Sequence, residues 1–82
     1  MEITTSQIRA LMDDQSTEDL LNVELTDDKT LEEYGIDSMG LISLAFDLDD
    51  LANIQLDDSA LEKIKTYGDI KNLLINEGIK IV

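Results

Sequence analysis

Apolar residues return every third or fourth position along much of this chain, and in one stretch they return too often. Ile8, Leu11 and Met12 fall at i, i+3 and i+4, one face of a helix expected to start at Thr4 or Thr5 and run to about Asp14. Near the other end, Ile70, Leu73 and Leu74 repeat that spacing behind a Thr-x-x-Asp cap, Thr66 to Asp69, with Gly78 placed to close the helix. Two elements are weaker. "STEDLLNVEL" has the Ser-x-x-Asp form of a cap at Ser16 and would turn Leu20 and Leu21 inward over as little as one turn of a second helix. "QLDDSALEKIK" makes a short helix from about Asp58. Between them, Leu25 to Asp37 is a long polar connection tied down by Leu25, Leu31 and Ile36, and the apolar tail "IKIV" is expected to pack back on the rest.

The stretch with surplus apolar residues runs from Met39 to about Asn53. At about 100° per residue, Leu41, Leu44, Ala45, Leu48, Leu51 and Ala52 gather on one side of the helix, and Met39, Ile42 and Phe46 form a second stripe beside them. A surface helix needs an apolar arc only a little over about 100° wide, so the first cluster suffices for a core and the second is left over. Asp49 and Asp50 flank that second stripe as rim charges flank a docking patch. In a domain too small to surround a helix completely, the stripe reads as an interaction surface; the alternative is a central helix buried on most sides.

Composition narrows the class. A chain of 82 residues builds one domain, residues 1–82, and its lack of proline with only three aromatics, Tyr34, Phe46 and Tyr67, suits an all-α bundle. The expected architecture is a small four-helix bundle with a long first connection and a short third helix. Nineteen acidic against six basic residues give a net charge of −13, which repels nucleic acid and favours protein partners with basic docking patches. Self-repulsion of that size predicts a melting temperature that rises with salt or divalent cations. No apolar run reaches the length of about 20 residues needed to span a bilayer, and the first residues lack the basic start and apolar block of a signal peptide. With no cysteine either, a cytoplasmic location and a monomeric state are expected.

Much chemistry is excluded. The chain has no histidine and no cysteine, so no serine or threonine can find an imidazole base and no thiolate metal site can form. Catalysis by this chain alone is not expected. The acidic run "DLDDLANIQLDD" invites a calcium loop starting at Asp47 and Asp49. It fails by position, with Leu51 in the fifth place, Ala52 where glycine turns the loop, and Asp58 where a bidentate Glu closes it. A cation sensor would need a saturable structural response to calcium, and no metal ligand set is assigned.

One hydroxyl stands out. In "YGIDSMGLISLAF", Ser38 sits at the start of the over-apolar helix. By local pattern it is a helix cap, but Asp37 caps equally well and would free Ser38 to face solvent. A helix N-terminus also tolerates an attached phosphate better than a mid-helix site does, and Gly35 lets the chain turn sharply into it.

These residues resemble the acyl carrier protein family, through Gly35-Ile36-Asp37-Ser38-Met39 as the attachment motif and "KIKTYGDI" as the entry to the last helix, without a gap from about Leu31 to Leu74. The resemblance implies a four-helix bundle in which a separate phosphopantetheinyl transferase joins 4′-phosphopantetheine to Ser38, with Asp37 part of the recognition motif. The arm's thiol would then hold an acyl or aminoacyl group, supplying chemistry that no side chain of the protein offers. By position, Met39, Ile42, Phe46, Asp49 and Asp50 match partner-facing residues, recognised by acyl-loading, synthase or acyltransferase enzymes. Leu44, Leu48, Leu56 and Ile64 match core positions that can line a pocket for the carried chain. Gly40 and Ser43 stand where carriers of bulk fatty acid synthesis usually show acids, Ala52 replaces a usual aromatic and Asp57 a usual proline, which points to a specialised member; fatty acid, polyketide and D-alanyl carriers all remain open. The competing reading is a small acidic helical adaptor that binds a basic protein through Met39, Ile42 and Phe46 and carries no cofactor.

Overall fold

The computed structural model describes all residues, 1–82, and contains four helices and one pair of very short strands. In chain order these are β1 (Glu2–Ile3), α1 (Thr5–Gln15), α2 (Ser38–Ala52), α3 (Asp58–Lys63), α4 (Tyr67–Asn76) and β2 (Lys80–Ile81). The apolar tail packs back as expected, in a form that its sequence does not specify: β2 lies parallel to β1, with Glu2 opposite Lys80 and Ile3 opposite Ile81.

Each helix begins where a short polar side chain can take up free N–H groups. For α1, the Thr4 hydroxyl accepts from the Gln7 N–H at 3.0 Å and the Gln7 side chain accepts from the Thr4 N–H at 2.8 Å. For α4, Thr66 and Asp69 reciprocate in the same way, at 3.1 Å and 3.0 Å. Asp57 caps the six-residue α3 by accepting from Ala60 N–H at 2.9 Å. A proline at position 57, which the resemblance would lead one to expect, could not do this, so Asp57 has a local structural use. Beyond the end of α4, Gly78 takes the left-handed conformation (φ 84°) while the Ile79 N–H returns to the Leu74 carbonyl at 3.0 Å, a turn that glycine makes without a Cβ penalty.

The weak second helix is a correction: residues 16–37 form turns and irregular chain, with no helix among them. Ser16 ends α1, its N–H donating to the Asp13 carbonyl, instead of opening a new helix. Its hydroxyl accepts from the Glu18 N–H and donates to the Tyr34 carbonyl. Of the two leucines expected to face inward, Leu20 is buried and Leu21 is 57% exposed. Tertiary bonds take the place of helical ones. The guanidinium of Arg9 donates to the carbonyls of Leu20 and Val23, and the Asp13 carboxylate accepts from the Leu20 N–H at 2.9 Å.

The second half of this connection is held by Tyr34, whose buried ring brings its hydroxyl to the Thr26 N–H, accepting at 2.7 Å, and to the Glu24 carbonyl. It then lies along the start of α4. The N–H groups of Tyr67 and Gly68 donate to the carbonyls of Lys29 and Asp27, at 3.2 Å and 3.0 Å, and the Leu31 N–H donates to the Lys65 carbonyl at 3.0 Å. Lys71 closes the contact with an ion pair to Asp27 at 2.6 Å, and its hydrogen bond to that carboxylate raises the Lys71 pKa above the ordinary lysine value.

The core gathers one face from each long helix. Ile8 and Met12 of α1, Leu44, Leu48 and Ala52 of α2, and Ile70 and Leu74 of α4 meet with Leu20, Leu31, Tyr34 and Ile36 from the connection and Ile3 and Ile79 from the ends of the chain. The short α3 contributes no fully buried residue, only Leu61 packed at the edge.

Candidate functional site

The candidate site is the start of α2. Asp37 is its cap: extended backbone (φ −85°, ψ −176°) with the carboxylate accepting from the Gly40 N–H at 2.7 Å. That leaves Ser38 as the first helical residue, exposed, with its hydroxyl committed to no backbone group. The approach to it is fixed by Gly35, which has φ 79° and sits so close to residues 16–18 that a Cβ there would lie 2.9 Å from the hydroxyl oxygens of both Ser16 and Thr17. Any other residue would meet both a backbone penalty and a clash. The Thr17 N–H and the Gly35 carbonyl are joined at 3.0 Å, so the end of α1 braces the turn into α2.

Gly40 has a second role. It is buried, and a Cβ there would lie 3.2 Å from the Gln15 carbonyl, from Ile36 and from the Asp37 carboxylate. From sequence, Gly40 and Ser43 stand together as positions lacking the expected acids. The structure separates them: Ser43 is exposed, whereas position 40 is where α2 crosses the end of α1, and a side chain there would fit only if its neighbours gave by a few tenths of an ångström.

Beside Ser38 lies a cleft of about 320 Å³. Its apolar walls are Leu31, Ile36, Leu41 and Ile64, and Thr30, Glu32 and Lys65 stand among its polar borders. The cleft exists because the linker before α4 is hydrogen-bonded to the long connection, which brings Ile64 and Lys65 up to the start of α2. Of the four residues considered for a pocket, Ile64 borders this cleft; Leu44 and Leu48 are fully buried core residues, and Leu56 is half-buried and outside the main core. Leu31, Leu41 and Lys65 are not singled out as site residues by the sequence. The spacing assigns Leu41 to the core face of its helix; the other two come into the site through non-local pairing that no local pattern encodes.

Farther along α2, Met39, Ile42 and Phe46 are 77%, 48% and 66% exposed. Large apolar side chains this open, three on one stripe, form the continuous patch that the spacing suggested. Asp50 is exposed beside it. Asp49 is partly covered, and its carboxylate accepts from the Leu56 N–H at 3.1 Å, so one oxygen of this charge also holds the turn into α3. Asp57 is likewise occupied at its cap, and the acidic run does not converge into a cluster of three or more metal-binding side chains.

The geometry suits an anionic group on Ser38. The hydroxyl is open, stands at a helix N-terminus whose dipole favours negative charge, and borders a cleft with a lysine on its rim. No helix is long and apolar enough to cross a membrane. The family model described as the phosphopantetheine attachment site matches residues 7–74. The acyl carrier protein of Thermotoga maritima is 40% identical over 42 residues, a stretch that covers 51% of this chain and 52% of that protein.

Proposed function

The chain belongs to the phosphopantetheine attachment site family, and from that membership we propose that Ser38 is the attachment residue and that the protein carries acyl or aminoacyl groups between enzymes. The observation that supports this most strongly is the division of labour at the start of α2: Asp37 does the capping and Ser38 is left open. When bound, the arm supplies a thiol on which cargo is held as a thioester, and that explains how a chain without cysteine or histidine takes part in acyl chemistry.

The residues of the protein hold and present. In the transfer, the Ser38 oxygen would attack the pantetheine-side phosphorus of coenzyme A, lose its proton and become the bridging oxygen of a phosphodiester as the pyrophosphate bond breaks and 3′,5′-ADP leaves. Asp37 fixes the first turn of α2, and so the direction of that oxygen, by holding the Gly40 N–H. Gly35 and Gly40 let the turn and the crossing with α1 pack closely around the helix start.

Met39, Ile42 and Phe46, with Asp50 and the outer oxygen of Asp49, form the surface that partner enzymes read. Apolar contact supplies affinity and the acids steer basic patches. The partners are a phosphopantetheinyl transferase and enzymes that load, extend or accept the cargo, with the protein acting as a cytoplasmic monomer and not itself as a catalyst. Gly40 and Ser43 leave the first turns of α2 less acidic than in carriers of bulk fatty acid synthesis, which suits a specialised pathway.

Incubation with coenzyme A and a broad-specificity phosphopantetheinyl transferase should add one arm, read by intact mass. Ser38→Ala should abolish the gain while leaving the melting curve nearly unchanged, since the hydroxyl makes no structural bond. A Ser38→Ala protein that still gains mass would refute the assignment. Wild-type protein that never gains mass would favour the cofactor-free adaptor.

A further inference from the structure

Two depressions flank the Asp37 shoulder of α2, and they differ in charge. The cleft beside Ser38 has Lys65 on its border. The second depression, bordered by Thr17, Gly35 and Asp37, has no basic side chain. Glu32, Ile36 and Asp37 border both. An anion attached to Ser38 therefore meets carboxylates on either side and an ammonium on one side only.

The other basic residues are not available to it. Lys71 pairs with Asp27 and Lys80 with Glu2, Arg9 is taken up by the Leu20 and Val23 carbonyls, and Lys29 lies over the Tyr34 ring. Of the two that remain among the six, Lys63 does not border the cleft. Lys65 is held in place by its backbone from two directions, its N–H donating to the Asp69 carboxylate at 2.9 Å and its carbonyl accepting from Leu31. Its side chain makes no ion pair.

We propose that Lys65 is a positioning residue for the arm: its ammonium draws the phosphodiester on Ser38, and with it the adjoining pantoyl segment, across the Leu31–Ile64 side of α2 and away from the Thr17–Gly35 side. This rests on the attachment of phosphopantetheine at Ser38. The pantoyl segment follows the phosphate directly and carries a dimethyl carbon, which matches the apolar walls Leu31, Ile36, Leu41 and Ile64. At about 320 Å³ the cleft stands near the lower end of ligand pockets, about 300–1,000 Å³, enough for that segment but not for the whole arm with a long chain.

The test compares amide chemical shifts of the arm-free and arm-loaded protein, in wild type, Lys65→Met and Lys65→Arg, after intact mass has confirmed loading of each. In wild type the differences should gather at Leu31, Ile64 and Lys65 as well as around Ser38, leave Thr17 and Gly35 nearly unmoved, and weaken at about 1 M salt, where the Debye length is about 3 Å. Lys65→Met should reduce the differences at Leu31 and Ile64 at least twofold, and Lys65→Arg should retain them. Loaded protein whose shifts are the same in Lys65→Met as in wild type, or gather at Thr17 and Gly35, overturns the role of Lys65 and leaves attachment standing. Failure of wild type to gain mass overturns attachment itself, and the inference with it. Because the backbone of residue 65 is held independently of its side chain, the arm-free Lys65→Met protein should give wild-type shifts away from the substitution.

Discussion

The two apolar faces of α2 have nearly the same chemistry and opposite fates. Leu44 and Leu48 are completely buried, while Met39 and Phe46, on the same 15-residue helix, are more than half exposed. Hydrophobicity does not separate them; supply of covering surface does. Helices α1 and α4 and the long connection close over one side, and the six-residue α3 is too short to wrap the other. A domain of this size covers one face of its central helix and leaves the second available to another protein.

The buried face should be the most sensitive to change. Leu48→Ala is expected to lower stability by about 2–5 kcal/mol through lost transfer energy and an unfilled cavity, measured by urea unfolding; a cost well below that range would mean that this face is not packed as a core. Gly40→Asp against Ser43→Asp asks the same question at the first turns of the helix. Forcing a side chain against the Gln15 carbonyl should cost about 1–3 kcal/mol, whereas an acid at the exposed position 43 should shift stability by no more than about 0.5 kcal/mol. Equal effects would erase the distinction between the two positions.

A smaller effect comes from α4, which supplies Ile70 and Leu74 to the buried face. The Asp69 carboxylate accepts from the N–H groups of Lys65 and Thr66, and the Lys65 bond is the main reason its pKa lies below the ordinary aspartate value of 3.8. A lowered folded pKa means that this stabilisation is present in full above the unfolded value and is lost as pH falls through the folded one. Asp69→Ala should therefore cost about 0.3–1.5 kcal/mol at neutral pH, and its deficit against wild type should shrink only in acid below about pH 4. A deficit that changes between about pH 5 and 8 would contradict the assignment.

The exposed face should give the smallest change in stability and the clearest change in function. Phe46→Asp is expected to alter unfolding free energy by about 0.5 kcal/mol or less, and Ile42→Asp, the less exposed of the two, by slightly more. Both should keep loading at Ser38 measurable while reducing turnover by a partner enzyme. Global unfolding by either would show that the stripe is covered after all.

Features governed by near neighbours were legible in the sequence. The helix start near Thr4, the caps at Thr66 and Asp37, the closing turn at Gly78, and the separation of α2 into two apolar stripes all depend on residues within a turn or two of one another. The failed expectation at Ser16 shows the limit: a serine spaced to open a helix instead ends α1, because Tyr34 and Gly35, distant in sequence, offered its hydroxyl and the neighbouring Thr17 N–H their carbonyls. Nor could local pattern place Lys65 beside Ser38, since that depends on the hydrogen-bonded contact between the linker before α4 and Leu31.

The sequence by itself determined where the four helices that form begin, which of their faces are apolar and that one serine stands beside an equally good cap, because backbone capping and side-chain periodicity act over a few residues. Only the tertiary structure decided which apolar face is covered, why position 40 is tightly packed, and which lysine shares a cleft with Ser38. Those outcomes depend on contacts between segments far apart in the chain, whose geometry exists only once the whole domain has closed.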